Sequence, residues 1–164
     1  MTVLEFNRLD NFSWREVNHK GERLCRVENI ELIKLELMLY MDAMVSSIKE
    51  SFRERRPYCT IHYITNGDHT ETSAHPWGGA CDYEVRGLSL YEQVMMASLF
   101  PFTGIGFYPY TTPCFVHVDI KQIEMRRRMW YRDADYVYYD YRDIQDVIHK
   151  LRGHYVESTL NGSD

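Results

Sequence analysis

Phe115-Val116-His117-Val118-Asp119-Ile120 alternates aliphatic side chains with a histidine and a carboxylate. Successive side chains of a β-strand point to opposite faces, so Val116, Val118 and Ile120 share one face while His117 and Asp119 share the other. The aliphatic face predicts a sheet laid against a core. The opposite face carries a histidine and an acid, two residues apart, into whatever cleft lies above it. Immediately upstream, Gly104 to Tyr108 and Cys114 to Ile120 flank Pro109 to Pro113, which predicts two antiparallel strands joined by a tight proline-bounded loop. Cys59 to Ile64 is short, β-branched and aromatic and runs into Asn66-Gly67, a strand followed by a turn. Downstream, Met129 to Tyr141 adds a further strand.

Helices must cover the aliphatic face. Ile30, Ile33, Leu37, Met41, Met44 and Ile48 recur at three- and four-residue steps, the stripe of one long amphipathic helix. Ser89 and Glu92 have the spacing of a capping box, and Leu90, Val94, Met95 and Leu99 follow as the apolar side of a second helix. Asp143 caps a closing helix through Ile144, Val147, Ile148 and Leu151, and the polar stretch from Ser158 to Asp164 is expected to fray. The expected fold is α+β, a small antiparallel sheet packed against helices. At 164 residues, with neither an internal repeat nor a Pro/Gly/Ser linker, the chain reads as one domain over 1–164.

Composition removes several function classes. Hydrophobic residues at 45% and charged residues at 26% exclude a disordered or coiled-coil chain. A net charge of −5 is wrong for a nucleic-acid partner, so the basic runs Arg53, Arg55, Arg56 and Arg126, Arg127, Arg128 read as solvated faces. The helix candidate Ile30 to Ile48 contains Glu31, Lys34, Glu36 and Asp42, which excludes a membrane span. Cys25, Cys59, Cys81 and Cys114 show no C-x-x-C pairing and read as reduced thiols. The charged and apolar alternation of the first fifteen residues is not an export signal, so the expectation is synthesis in the cytoplasm without a leader, as a monomer.

Ser73-Ala74-His75-Pro76-Trp77-Gly78-Gly79-Ala80-Cys81-Asp82 carries the second half of the chemistry. Pro76, Gly78 and Gly79 oppose a helix, so His75 sits on a loop, the glycines turn the chain, and Asp82 returns on a strand. Two histidines and one carboxylate, His75, Asp82 and His117, then form the three-ligand set of a zinc site with a fourth position open. Asp119 is either the acid/base group or the carboxylate that orients a ligand imidazole.

These segments resemble the zinc D-alanyl-D-alanine carboxypeptidases and the related L-alanyl-D-glutamate endolysins, which share a fold with the amino-terminal domain of hedgehog proteins. The family pattern S-x-H-x-x-G-x-A-x-D is matched by Ser73, His75, Gly78, Ala80 and Asp82. A branch of the family places G-x-G-x-Y-P before F-V-H-V-D, here Gly104 to Pro109 and Phe115 to Asp119, followed by Arg128 and Trp130, and opens with F-S-W-x-E, here Phe12 to Glu16. The resemblance spans about residues 12 to 130. It implies that His75, Asp82 and His117 hold Zn2+ and that the substrate is a peptide with D-amino acids, as in bacterial peptidoglycan.

Two positions depart from the family pattern. Where the family has S-G-Y-R, whose Arg grips the substrate, this chain has Asn66-Gly67-Asp68-His69. Where many members have an acidic base three residues before the last ligand, it has Cys114. Asp119 is then the remaining base candidate, with Glu84 behind it. Tyr108 is placed to donate to a developing oxyanion, Ser73 to orient His75 or its loop, and Ser73, His69 and Trp77 to contact substrate. The expected activity is hydrolysis of stem peptides or cross-links of peptidoglycan, as a D,D- or L,D-carboxypeptidase or endopeptidase, including a phage-type endolysin acting on the wall after release or from the virion. The rival expectation is a wall-binding or virion-associated module of the same fold without turnover. A third makes the zinc structural, with Cys81 or Cys114 closing the fourth position.

Overall fold

The computed structural model describes residues 1–13, 27–65, 72–121, 127–141, 145–147 and 149–151. Six strands among these form one sheet, β1 (Tyr58–Tyr63), β2 (Ala80–Arg86), β3 (Gly104–Tyr108), β4 (Phe115–Asp119), β5 (Arg128–Arg132) and β6 (Tyr138–Tyr141), in the order β1-β2-β4-β3-β5-β6. The mixed α/β content agrees with the α+β expectation, but the sheet is not wholly antiparallel. β5 lies parallel to β3, with Gly104 opposite Arg128 and Gly106 opposite Trp130, while every other neighbouring pair is antiparallel. Thr103 explains the pairing. Its N–H donates to the Asp119 carbonyl (2.8 Å) and its own carbonyl accepts from Arg128 N–H (2.8 Å), so the residue ahead of β3 fixes the end of β4 and the start of β5 together.

The stretch Met129 to Tyr141 is two strands rather than one. Asp133 breaks it, because its Oδ1 accepts the N–H groups of Asp135 and Val137 (both 2.9 Å) and Tyr136 takes a positive φ of 64°. A side-chain acceptor that substitutes for the ladder turns the chain.

Helix α1 (Val3–Phe6) is a single turn. Helix α2 (Leu35–Ser51) starts later than the apolar periodicity suggests, because residues Val27–Leu32 form a 3-10 turn and Lys34 is extended, donating its N–H to the Gly78 carbonyl (2.9 Å). The expected stripe is nonetheless the buried one: Ile30, Ile33, Leu37, Met41, Met44 and Ile48 are all in the core. Helix α3 (Leu90–Ser98) has the expected capping box, Ser89 Oγ accepting from Glu92 N–H and Glu92 from Ser89 N–H. Residues 145–147 and 149–151 are helical and bury Val147 and Leu151. Asn66-Gly67, Trp14 to Glu16, Cys25, Arg126, Asp143, Ile144, Ile148 and the segment 158–164 lie outside the described residues.

One face of the sheet meets the helices. Cys81, Tyr83 and Val85 of β2, Val116 and Val118 of β4, Ile105 and Phe107 of β3, and Met129 and Tyr131 of β5 join the α2 methionines in one core. The Tyr83 hydroxyl lies against Met44 Sδ (3.6 Å) and the Gln93 carbonyl (3.4 Å), which ties the sheet to both helices. The alternate residues of the same strands, Asp82, His117, Gly106 and Trp130 among them, face the other way, and the cleft lies there.

A candidate metal centre on the open face of the sheet

Asp82 and His117 are directly opposite each other in the β2–β4 register, so strand pairing alone brings a carboxylate and an imidazole together. His75 arrives from a 3-10 turn, His75–Trp77, with Pro76 in its first turn and Gly78 closing it at φ 72°. Only glycine fits at 78, since a Cβ there would lie 2.1 Å from the Leu32 carbonyl oxygen. The turn is therefore clamped against the entry to α2, and His75 is fixed above the sheet.

The three facing atoms form a triangle: His75 Nε2 to His117 Nδ1 3.2 Å, His117 Nδ1 to Asp82 Oδ1 2.7 Å, and His75 Nε2 to Asp82 Oδ1 3.3 Å. Tetrahedral ligands at zinc-like bond lengths of ~2.0–2.1 Å stand ~3.3 Å apart, so two edges already match and the third is short. The group is buried and could hold a metal ion. The opposite nitrogens fit that use. His75 Nδ1 is 2.7 Å from the Ile64 carbonyl, which can only accept, so Nδ1 carries the hydrogen and Nε2 presents its lone pair to the triangle. His117 Nε2 is 3.3 Å from Asp119 Oδ2.

Asp119 is held in turn by Lys121 N–H (2.9 Å) and the Thr103 hydroxyl (3.2 Å), both on Oδ1. Gly104 makes room for it, because a Cβ there would lie 2.3 Å from Oδ2. Charges follow the geometry. Burial pushes the Asp82 carboxyl up, but a hydrogen bond from His117 and, when its ring is doubly protonated, one from His75 outweigh it and hold the group well below the usual carboxylate range. Burial lowers the His117 imidazole, and the Asp119 and Asp82 carboxylates reverse this and carry it up to about 9. Burial likewise raises Asp119, and His117, Lys121 N–H and Thr103 leave it lowered.

The triangle lies on the floor of a cleft of about 720 Å³. Ser73 lines it and its hydroxyl accepts from His75 N–H (3.3 Å). Tyr108 stacks on Phe115 with ring centroids 4.4 Å apart and accepts from Trp130 Nε1–H (3.0 Å). Trp130 in turn lies over Gly106, where a Cβ would be 2.4 Å from its ring, and 5.1 Å from the His117 ring.

Three expectations are corrected by position. Trp77 does not line the cleft; its ring covers Gly79, where a Cβ would be 2.0 Å away, with Lys34 Nζ 5.9 Å from its centroid. Glu84 lies outside the cleft, beside His62 (3.9 Å) and Arg86 (3.7 Å) toward the β1 edge. Neither Cys81, buried in the core, nor Cys114, whose Sγ donates to the Pro109 carbonyl (3.0 Å), joins the metal group. His69 lies outside the described residues.

Of the rest of the cleft wall, Arg128 and Trp130 of β5 entered the sequence reading only through the family resemblance, and Arg132 of β5, Tyr138 and Asp140 of β6, Tyr63 and Lys121 were missed. The signal of the β5 wall was present in the alternation of Arg128, Trp130 and Arg132 with Met129 and Tyr131. No family model, curated protein or solved structure matches the chain.

Proposed function

We propose that the chain is a zinc-dependent peptidase that hydrolyses peptide bonds in peptidoglycan stem peptides or cross-links. The observation that carries the reading is the buried His75–Asp82–His117 triangle on the floor of an open cleft, with the outer nitrogen of each histidine held by an acceptor. The resemblance of the two motif segments to zinc D-alanyl-D-alanine carboxypeptidases and L-alanyl-D-glutamate endolysins supplies the substrate class. A zinc ion held by these residues would supply Lewis-acid polarisation of a carbonyl and a water acidic enough to attack near neutral pH.

The remaining work falls to the chain's own side chains. Because the Tyr108 oxygen accepts from Trp130, its own hydrogen is free to point into the cleft and donate to a carbonyl oxygen that gains charge. Asp119 is a positioning residue: with His117, Lys121 N–H and Thr103 around it, it orients the imidazole rather than meeting substrate. The protein then acts on the cell wall after release, or from a virion.

A metal-bearing wall-binding module without turnover is the second reading. Its support is that, among the described residues, the carboxylates lining the cleft are Asp82 and Asp119, both engaged with histidine, and Asp140, beside Arg128 at 3.9 Å. Mass spectrometry of muropeptides incubated with purified protein, with and without added zinc, separates the two. New amino termini or free D-alanine that depend on zinc establish the peptidase; zinc-loaded protein that binds muropeptides and leaves them intact establishes the module.

A further inference from the structure

Five tyrosines are exposed among the described residues, and four of them, Tyr110, Tyr136, Tyr138 and Tyr139, stand at one corner of the sheet, where β3 and β5 end and β6 begins. Single exposed rings are ordinary, whereas a group of them marks a contact surface. Tyr136 adds a second sign. It holds a φ of 64°, where glycine or asparagine is at ease and a bulky side chain is strained, and its ring is 73% exposed, so burial does not offset the strain. Strain that the core does not account for gathers at binding sites.

A second hollow of about 320 Å³ opens between these rings, and its walls include Tyr108, Tyr110, Thr111, Arg132, Asp133 and Tyr136. Tyr108 and Arg132 also line the cleft above the metal centre, so the two spaces share a wall. At the small end of the ~300–1,000 Å³ that ligand pockets span, the hollow has room for one ring-sized group. Its charges balance, one cation against one anion. The Arg132 guanidinium rests against the rings of Tyr108 (4.9 Å to the centroid) and Tyr136 (5.0 Å), and Asp133 Oδ1 accepts the N–H groups of Asp135 and Val137. The lining therefore suits a neutral ligand. The Thr111 hydroxyl gives its hydrogen to the Tyr108 carbonyl (2.9 Å), which leaves its oxygen to accept from a ligand hydroxyl. A pyranose meets all of these conditions: it is uncharged, its C–H face lies well against the electron-rich face of a phenol ring, and its hydroxyls both donate and accept.

Resting on the peptidase reading for what the sugar carries, we infer that the second hollow is a saccharide subsite, in which Tyr110 and Tyr136 hold one neutral pyranose ring of the glycan strand while the stem peptide joined to it enters the cleft. The shared wall of Tyr108 and Arg132 is then the point where sugar gives way to peptide. A peptide still attached to its glycan is the preferred ligand over the same peptide set free.

The test compares two ligands on zinc-loaded full-length protein: a peptidoglycan stem peptide linked to its disaccharide, and the same peptide without sugar. Affinity is read as Kd by calorimetry where no cleavage occurs and as KM where it does, with products followed by mass spectrometry. Wild type is expected to favour the linked form about 10-fold, the scale of two ring contacts. Tyr110→Ala and Tyr136→Asn each reduce that ratio towards one; asparagine suits the positive φ, so the second variant loses the sugar without losing Tm. Tyr136→Phe keeps the ring and the preference, and Tyr58→Ala, an exposed tyrosine on the far edge strand, also retains it. Equal affinity of wild type for the two ligands, or a preference that survives both Tyr110→Ala and Tyr136→Asn, overturns the inference, and cleavage in either case leaves the peptidase reading standing. A sugar preference that these variants remove, without cleavage by wild type, supports the subsite and removes the peptidase. Absence of binding and of cleavage with both ligands overturns both.

Discussion

His117 faces a carboxylate at each ring nitrogen, Asp82 at Nδ1 and Asp119 at Nε2. The two acids divide the labour: Asp82 shares the ligand triangle, and Asp119 sets the direction of the ring. His75→Ala and His117→Ala are therefore expected to abolish stoichiometric zinc, measured by elemental analysis of dialysed protein; full zinc in both would remove the assignment. Asp119→Asn is expected to weaken zinc about 10- to 100-fold with activity restored by excess metal, read by competition against a chromophoric chelator. Near-normal zinc with kcat down by about 10² or more would instead make Asp119 the proton acceptor. Gly106→Ala tests the seat of Trp130. The added methyl meets the indole, so a loss of about 1–3 kcal/mol in stability is expected, with a shift in tryptophan fluorescence as the ring leaves Tyr108.

At the level of elements, α3 makes a pH-dependent contribution that can be measured. Partial burial pushes the Glu92 carboxyl up, but the Ser89 N–H, the Arg55 guanidinium and the Ser89 hydroxyl outweigh it and leave it lowered. A group whose native pKa is depressed stabilises the fold above its ordinary value, near 4.5, and loses that contribution as pH falls through the native value. Glu92→Gln should cost up to ~1 kcal/mol at neutral pH, a figure limited by solvent screening, and the deficit should close in acid. Parallel denaturant titrations of the two proteins at pH 7 and pH 3 check it. The cap was legible because both partners are three residues apart in the chain. The parallel β3–β5 pairing was not, because it depends on Thr103 bonding both to the end of β4 and to the start of β5, and no local pattern encodes that. Likewise the break at Asp133 came from a side chain that serves two backbone donors, a choice invisible to hydrophobic alternation.

Taken whole, the molecule keeps its core and its chemistry on opposite faces of one sheet. Period-two alternation made His117 and Asp119 readable as sharing one face, and the glycine turn after His75 brought in Asp82; Trp77 was misread because neighbourhood in sequence does not say which side of a turn an indole covers. The Ile64 carbonyl behind His75 left no trace in the sequence at all, being backbone. Since the triangle exists only in the folded chain, a bound ion stabilises the native state: at a free concentration of 100 times Kd the gain is about 2.7 kcal/mol. Chelation is expected to lower Tm, and readdition of zinc to restore it; a Tm indifferent to chelator would count against a tightly held ion.

The direct opposition of Asp82 and His117 has a consequence for how the chain finds its sheet. Slipping β4 by one residue against β2 would turn His117 into the core and a valine into the cleft, so only one alignment of the two strands offers a complete set of donors. An ion bound while the sheet assembles would reward that alignment alone, and the centre would then proofread strand pairing.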